Sequence, residues 1–340
     1  MQTTISNAPS QAESPYPRLH RLRFRFQARE PIRLPAYTGS AWRGLLGHAL
    51  RQTACVTRQP SCGGCLLIHN CVYSGFFETP PASAEAAARY TALPHPFVLE
   101  PELDTRRVVE TGEPLRLGLT LIGPAINAIP YLIHAFQRAG ERGFGRDGGR
   151  FALRNLSQET APGSDNWGII YDAADGKLRA LDAQPDIQHS NPSPATIPPQ
   201  PITLHLQTPL RIKHHGRFIG PGHLTAADLL RALISRVDTL RDLYGPADAS
   251  SNTGTLYDAL PDVQISQAEL RWHEWTRYSS RQQTSLQMGG LVGRLQLTGD
   301  GLHPLLPLLH FGQWTHIGKG TSLGLGRYRL ASPIHDCKTI

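Results

Sequence analysis

The same order of predicted elements occurs twice along this chain, and both copies close in the same way. The first copy closes with Gly143-Phe144-Gly145-Arg146 followed by Arg150-Phe151, and the second with Gly324-Leu325-Gly326-Arg327 followed by Tyr328. Two unrelated turns could also give glycines, an arginine and an aromatic residue. The matching strands and helices before each segment favour a duplicated structural unit instead.

Each half is predicted to contain a strand, a helix, two strands, a helix, a glycine-rich loop and a strand. Alternating apolar residues predict the strands, and apolar residues at helical spacing predict the helices. This order is βαββαβ, which is typical of the ferredoxin-like (RRM-like) unit. The predicted class is therefore α+β, with two ferredoxin-like domains in tandem and a cysteine-rich insertion in the first.

A stretch rich in Pro, Ser, Asn and Gln separates the two copies and has the composition of a linker. The polar, proline-containing start of the chain is interpreted as a disordered lead-in. The predicted segments are a lead-in (1–17), a first domain (18–183) with its cysteine-rich insert (55–71), a linker (184–200), a second domain (201–332) and a tail (333–340).

The charge balance points to an anionic partner. The 340 residues carry a formal net charge of +7, besides fifteen histidines, and this favours nucleic acid above other partners. No apolar run approaches the ~18 residues that a membrane-spanning helix requires. Because the N-terminus also has no secretory apolar region, a cytoplasmic protein with no membrane partner is predicted.

The glycine-rich loop from Gly318 to Arg327 is suited to a phosphate-bearing partner. It combines four glycines with Lys319, Arg327 and two hydroxyl side chains. A dinucleotide fingerprint and a P-loop both require glycines that lead into a helix, whereas a strand follows this loop. We therefore interpret it as a cradle for an RNA backbone rather than a nucleotide pocket.

The predicted first helix places a histidine on its polar face. On a helical wheel Trp42, Leu46 and Leu50 lie on the apolar arc, while His48 lies outside it with Arg51. A histidine can accept or donate a proton near neutral pH, and nearby arginines can bind a phosphate. A solvated helix face with an incidental histidine is the alternative interpretation.

Four of the five cysteines fall within seventeen residues, at Cys55, Cys62, Cys65 and Cys71. Two glycines between Cys62 and Cys65 would allow a tight thiolate turn. Four thiolates in a short loop of a cytosolic protein predict structural Zn²⁺, with an Fe–S cluster as the less favoured occupant. Free or redox-active thiols remain the alternative.

Three blocks of this sequence resemble the CRISPR repeat-processing endoribonucleases of the RAMP superfamily, in the branch with a four-cysteine insert. The blocks are residues 34–51, the cysteine cluster running into residues 73–78, and the glycine-rich loop, while residues 94–99 also fit this branch. The resemblance covers most of the chain, and the glycine-rich loop is its most specific part.

The resemblance implies a metal-independent endoribonuclease that cuts CRISPR repeat RNA to give mature guide RNAs. The ribose 2′-hydroxyl attacks the adjacent phosphate and leaves a 2′,3′-cyclic phosphate. It implies His48 for proton transfer, with Tyr37 and Arg51 assisting; Arg51 occupies a position where such enzymes often have lysine. No cofactor is implied for catalysis.

The residues predicted to bind the RNA come from both halves of the chain. They are Arg43, Arg146, Lys213, Gly318, Lys319, Gly320, Gly324, Gly326 and Arg327. The implied partners are CRISPR repeat RNA, the mature crRNA, and other subunits of a CRISPR effector complex.

Two other functions remain open at this stage. The chain could be a non-catalytic RAMP-type subunit that holds guide RNA in an effector complex, since such a subunit shares the fold, loop and charge. It could also be a metal-stabilised nucleic-acid adaptor in which the cysteine loop makes the main contact.

Overall fold

The computed structural model describes residues 15–90, 92–103, 107–161, 163–179, 201–246, 253–279 and 284–331. The predicted linker at residues 184–200, the tail at 333–340 and most of the lead-in lie outside these ranges. Among the described helices, none combines the length and apolar character that crossing a bilayer requires.

The first domain contains eight described strands and four described helices. They are β1 (Leu19–Ala28), β2 (Ile32–Arg33), α1 (Gly39–Ala54), α2 (Val72–Phe77), α3 (Ala84–Arg89), β3 (Phe97–Pro101), β4 (Val108–Val109), β5 (Pro114–Ile122), α4 (Ile129–Arg142), β6 (Phe151–Glu159), β7 (Trp167–Asp172) and β8 (Lys177–Leu178).

The second domain repeats this plan with a shorter sheet. Its described elements are β9 (Ile202–Leu210), β10 (Lys213–His214), β11 (Arg217–Phe218), α5 (Ala226–Tyr244), α6 (Thr253–Asp258), β12 (Gln264–His273), β13 (Thr276–Ser279), β14 (Thr284–Gln287), β15 (Gly290–Thr298), α7 (Leu306–Thr315) and β16 (Tyr328–Leu330).

The strand orders confirm the tandem ferredoxin-like prediction. The main sheet of the first domain runs β3-β5-β1-β6, extended by β7 and β8, and that of the second runs β12-β15-β9-β16. In each domain the first strand therefore pairs with the third and the fourth, and every pairing is antiparallel. The extension by β7 and β8 was not predicted from the sequence.

Alternation in β1 decides which face of the first sheet is covered. Leu22, Phe24 and Phe26 are buried beneath the helices, and the Phe24 ring lies 4.6 Å from that of Phe136 on α4. Burial of such large rings supplies most of the favourable free energy of folding.

Two helices begin where their residue types suggest something else. Serine is a common N-cap residue, but α1 already begins at Gly39, before Ser40, and no side chain caps it. Proline breaks a helix in its interior, but Pro130 lies in the first turn of α4, where proline is tolerated. A 3₁₀ turn at Gly123–Ala128 precedes α4.

The two domains share an apolar interior. Leu19, Val98 and Ile122 of the first domain are buried in the same cluster as the core of the second. This packing brings α1 of the first domain against the glycine-rich loop of the second.

Candidate functional site

The residues at and just before the start of α1 contact the glycine-rich loop. The Tyr37 hydroxyl donates a hydrogen bond of 2.8 Å to the carbonyl oxygen of Leu323. A Cβ on Gly39 would lie 2.0 Å from that same oxygen, so only glycine allows this approach. The Tyr37 ring also packs on Trp275, with 4.7 Å between the ring centroids. The segment that leads into α1 and the glycine-rich loop, which are distant in sequence, therefore meet at one junction.

His48 lies on the exposed face of α1, as the helical wheel predicts. The Gln52 amide Nε2, one turn later, lies 2.9 Å from the imidazole Nε2. Because an amide nitrogen only donates, Nε2 of His48 acts as an acceptor in this pair. A Cβ on Gly44, one turn before His48, would meet no atom within 4 Å, so the helix face beside the imidazole is open. Gly47, in contrast, faces the Phe77 ring of α2, where a Cβ would lie only 3.0 Å away.

The other two predicted catalytic residues have structural contacts. Arg51 donates from Nη2 to the carbonyl oxygens of Gln59 and Pro60, at 2.6 and 2.8 Å. It therefore anchors the cysteine loop to α1. The Tyr37 hydroxyl already donates its hydrogen bond to the Leu323 carbonyl oxygen, and burial raises its pKa, an effect that Arg327 only partly opposes. Their catalytic roles remain predictions.

Arg43 connects α1 with both the loop and the segment before β3. Its Nε lies 3.3 Å from the Ser322 hydroxyl, and its Nη2 lies 3.0 Å from Nε2 of His95. Since a guanidinium only donates, Nε2 of His95 accepts, and Nδ1 then donates to the Thr79 hydroxyl at 2.8 Å. Desolvation, reinforced by Arg43 and Arg236, lowers the pKa of His95 to about 4, so the ring is neutral at pH 7.

The glycine-rich loop divides into an accessible and a buried part. Lys319 is exposed between the partly exposed Gly318 and Gly320, whereas Gly324 and Gly326 are buried. A Cβ on Gly326 would lie 1.8 Å from the Ile317 carbonyl oxygen, and its φ is 71°. The backbone therefore requires glycine here for close approach and positive φ. Of the RNA-binding residues predicted on this loop, Gly318, Lys319 and Gly320 are accessible to a ligand, Arg327 is partly exposed, and the other two glycines are enclosed.

Arg327 belongs to a buried ion cluster between the domains. Glu100 at its centre lies 3.3 Å from Arg21, 3.7 Å from Arg327 and 3.8 Å from Arg329. Burial alone would raise the pKa of Glu100, but the three guanidiniums hold it at about 2. Glu159 also pairs with Arg21. Arg327 therefore joins the domains, and its predicted RNA contact remains untested.

His316 lies at the start of the loop and is fully buried. Its Nδ1 donates to the carbonyl oxygen of Leu325 at 3.2 Å. Desolvation lowers its pKa to about 3, although Glu100 acts in the opposite direction. His316 is neutral and enclosed at pH 7, which makes it unsuitable as a second proton donor.

The remaining predicted RNA-binding residues lie on other parts of the surface. Arg146 is exposed beside a groove that Arg33 and Phe144 also line. Lys213 is exposed on β10, with its ammonium 5.0 Å from the centroid of the Phe218 ring. The structure thus gathers Arg43, Lys319 and Lys213 towards the domain junction and leaves Arg146 on the first domain.

The second domain matches a known protein family. Residues 204–328 match the family model described as CRISPR-associated endoribonuclease Cas6. The second domain is therefore similar to Cas6, and we refer to it as the Cas6 domain. Residues 16–183 match a second family model, which is described only as an N-terminal domain. The predicted family is thereby confirmed, whereas its four-cysteine branch remains a prediction.

Solved structures with the same fold include Cas6 proteins. The Cas6 (TTHB231) product complex superposes with a TM-score of 0.53 at 14% identity, covering 92% of this chain and 100% of that one. The same protein alone, Thermus thermophilus Cas6, gives 0.52 at 13% identity, covering 93% and 99%. At this identity the likeness concerns the fold.

Two further proteins are similar to this chain over most of its length. A partial Cas6-RT-Cas1–Cas2 complex gives a TM-score of 0.57 at 15% identity over 96% of this chain, which spans about half (48%) of that chain. An uncharacterised protein of Archaeoglobus fulgidus is 21% identical over 301 residues, which are 88% of this chain and 93% of that protein.

The four clustered cysteines of this Cas6-domain protein are free thiols around one cavity of about 180 Å³. The Thr57 hydroxyl lies 3.8 Å from Cys55 Sγ and 3.6 Å from Cys65 Sγ. Partial burial would raise the pKa of the Cys55 thiol, but hydrogen bonds from Thr57 and the Arg58 backbone lower it on balance. Within the described ranges, no three metal-ligating side chains are as close together as a bound metal requires.

Sequence reasoning missed three residues at the junction of this Cas6 domain with the first domain. Glu100 stands alone among apolar residues in β3, and an isolated acid in a buried strand is the signal of a buried ion pair. His95 lies within a block that was noted only for its resemblance. Arg236 occupies a polar position of the amphipathic α5, and nothing local distinguishes it from a solvated arginine.

Proposed function

We propose that the chain is a metal-independent endoribonuclease that cleaves CRISPR repeat RNA with His48 in proton transfer. The Cas6 match over residues 204–328 carries this proposal. The contacts of Tyr37 and Arg43 with the glycine-rich loop support it, because they hold the histidine-bearing helix next to the loop that is predicted to bind RNA. One structural neighbour is itself described as a Cas6 product complex.

The proposed reaction needs only proton transfer and charge stabilisation from the protein. The 2′-oxygen bonds to the adjacent phosphorus as its proton passes to a base, and the bond to the 5′-oxygen breaks. That oxygen takes up a proton, which leaves a 5′-hydroxyl and a 2′,3′-cyclic phosphate. Nε2 of His48 is the accepting atom that this chemistry requires, and Arg43 is a cation on α1 that contacts the loop.

The function is tested by the dependence of cleavage on one hydroxyl. We expect a labelled repeat RNA to be cut in EDTA, and the same RNA with a single 2′-deoxy residue at the cleaved position to remain intact. End-group analysis should find a cyclic phosphate. Equal cleavage of the deoxy substrate would contradict the mechanism. Tight binding without any cleavage would favour the non-catalytic guide-RNA subunit instead.

We also propose a structural zinc ion held by Cys55, Cys62, Cys65 and Cys71. The four thiols around one cavity support it, and zinc supplies cross-linking rather than chemistry in such a closed site. We place the protein in the cytoplasm, with repeat RNA, crRNA and other CRISPR subunits as partners.

Zinc analysis separates this proposal from free thiols. We expect about one zinc per chain in the purified protein, since four thiolates complete a tetrahedral site. The double substitution Cys62→Ser with Cys71→Ser should remove the zinc and lower the melting temperature, while Cys337→Ser should change neither. A protein that is purified without zinc and does not bind added zinc would contradict the proposed site. Absorbance in the visible range would indicate an Fe–S cluster instead.

A further inference from the structure

A cavity of about 500 Å³ lies where α5, the accessible part of the glycine-rich loop and residues 89–90 and 92–95 meet. Its volume falls within the roughly 300–1,000 Å³ typical of small-ligand sites. The side chains around it include five cations and no carboxylate: Arg89, Arg211, Lys213, Arg236 and Lys319.

The charge in this cavity is largely uncompensated. Arg89 pairs with Asp242 at 3.0 Å. Arg211 donates instead to a neutral acceptor, the carbonyl oxygen of Gly289, at 2.5 Å. Lys213 and Lys319 are exposed, and neither forms an ion pair with another described residue. A concave surface lined by one sign of charge concentrates ligands of the opposite sign.

Arg236 provides the most specific signal. Its Nε donates to the Thr315 carbonyl oxygen at 2.8 Å, which fixes the side chain. Its Nη2 is buried but has no hydrogen-bond partner among the described residues. Desolvation lowers the pKa of this guanidinium to about 10, so it stays charged at pH 7. A buried charged donor without an acceptor is costly, and an anion in the cavity would remove that cost.

His95, which also lines the cavity, is neutral and held in place. His95 is locked by Arg43 on one nitrogen and Thr79 on the other. Tyr244 of α5 donates to the Pro94 carbonyl oxygen at 2.7 Å and so fixes the segment that carries His95. A pocket lined by several cations and by one neutral ring fits a phosphate that is attached to a base.

We propose that this junction cavity binds one nucleotide of the RNA, with its phosphodiester on Arg236, Lys213 and Lys319. The inference rests on the proposed function, because it assumes that RNA is the substrate. It adds Arg236 to the RNA-binding residues and assigns Lys213 and Lys319 to a common phosphate.

The salt dependence of RNA binding tests the cavity. Each phosphate contact with single-stranded RNA contributes about 0.7 to the slope of log affinity against log salt concentration. We expect Lys213→Ala and Lys319→Ala each to weaken binding of a labelled repeat RNA and to reduce that slope by up to about 0.7. Arg236→Gln should do the same. Arg231→Ala on the exposed side of α5 and Lys177→Ala on β8 are matched controls and should leave the slope unchanged.

The outcomes distinguish a failure of the cavity proposal from a failure of the proposed function. If the wild type cleaves repeat RNA while the two exposed lysine variants behave like their controls, the cavity proposal is wrong and the function stands. If AMP alone protects the protein against thermal unfolding and the lysine variants bind RNA normally, the cavity takes a free nucleotide, which also overturns the proposal. A wild type that neither binds nor cleaves repeat RNA would overturn both.

Discussion

Replacing His48 by alanine is expected to slow cleavage of repeat RNA by about 10²–10⁴-fold, the usual cost of removing a general acid or base. RNA affinity should change little, because the imidazole lies on an open helix face and its described contact is with Gln52 of the same helix. The measurement is single-turnover cleavage in EDTA, with the dissociation constant determined separately on the uncleavable 2′-deoxy RNA.

His134→Ala is the matched control for this experiment. His134 is also an exposed helical histidine, on α4 instead of α1, and its replacement should leave both rate and affinity at wild-type values. Undiminished cleavage by His48→Ala would remove His48 from the proton transfer. A variant that lost affinity and rate together would indicate that His48 positions the RNA instead.

The same pair of measurements distinguishes the catalytic from the non-catalytic reading of the Cas6 domain. Tyr37 and Arg51 already have structural partners, in the Leu323 carbonyl and the cysteine loop. If Arg51→Ala loses cleavage only in proportion to its loss of stability, the resemblance has assigned a catalytic role to a structural residue.

The fold could be predicted from the sequence because its signals are local and occur twice. Alternation in β1, the amphipathic α5 and the two glycine-rich closures each fix an element without knowledge of its partners. The pairing order then follows from the βαββαβ sequence. The short strands β7 and β8 were missed because edge strands of mixed exposure have weak alternation.

The candidate site could be predicted only in part, since its contacts join residues far apart in sequence. The polar face of α1 was correctly identified because a helical wheel is local. Tyr37 and Leu323 are separated by 286 positions, so the contact of Tyr37 with the loop could not be read from its neighbours. Likewise, four glycines with a lysine and an arginine indicated one RNA-binding loop, whereas packing against the first domain encloses its second half.

Glu100 is buried where the two domains meet, and we expect its replacement to lower the stability of the fold strongly. Glu100→Gln is expected to lower the free energy of unfolding by about 3 kcal/mol or more, because it removes the buried counter-charge that the buried Arg21 shares with the half-buried Arg327 and Arg329. The amide can still accept the hydrogen bond that the Thr120 hydroxyl donates at 2.9 Å, so the substitution removes mainly charge. Urea unfolding at pH 7 measures the loss.

Glu102→Gln supplies the control, since Glu102 is more exposed and its ion pair with Arg116 spans 3.7 Å. An exposed pair of this kind contributes about 0–1 kcal/mol, and the control should unfold near the wild-type midpoint. Equal midpoints for the two variants would show that Glu159 alone balances the buried guanidiniums.

The pH dependence gives the same cluster a second signature. The pKa of Glu100 is lowered to about 2 in the folded protein, so its ionisation stabilises the fold above its ordinary pKa near 4.5. This contribution declines as the pH falls from about 4.5 towards 2, where the carboxylate becomes protonated in both states. Glu100→Gln has no such group, and the stability difference between the variant and the wild type should therefore narrow over that interval. Since Arg327 directly precedes β16 and ends the glycine-rich loop, loss of Glu100 should also loosen the loop that the RNA is proposed to contact.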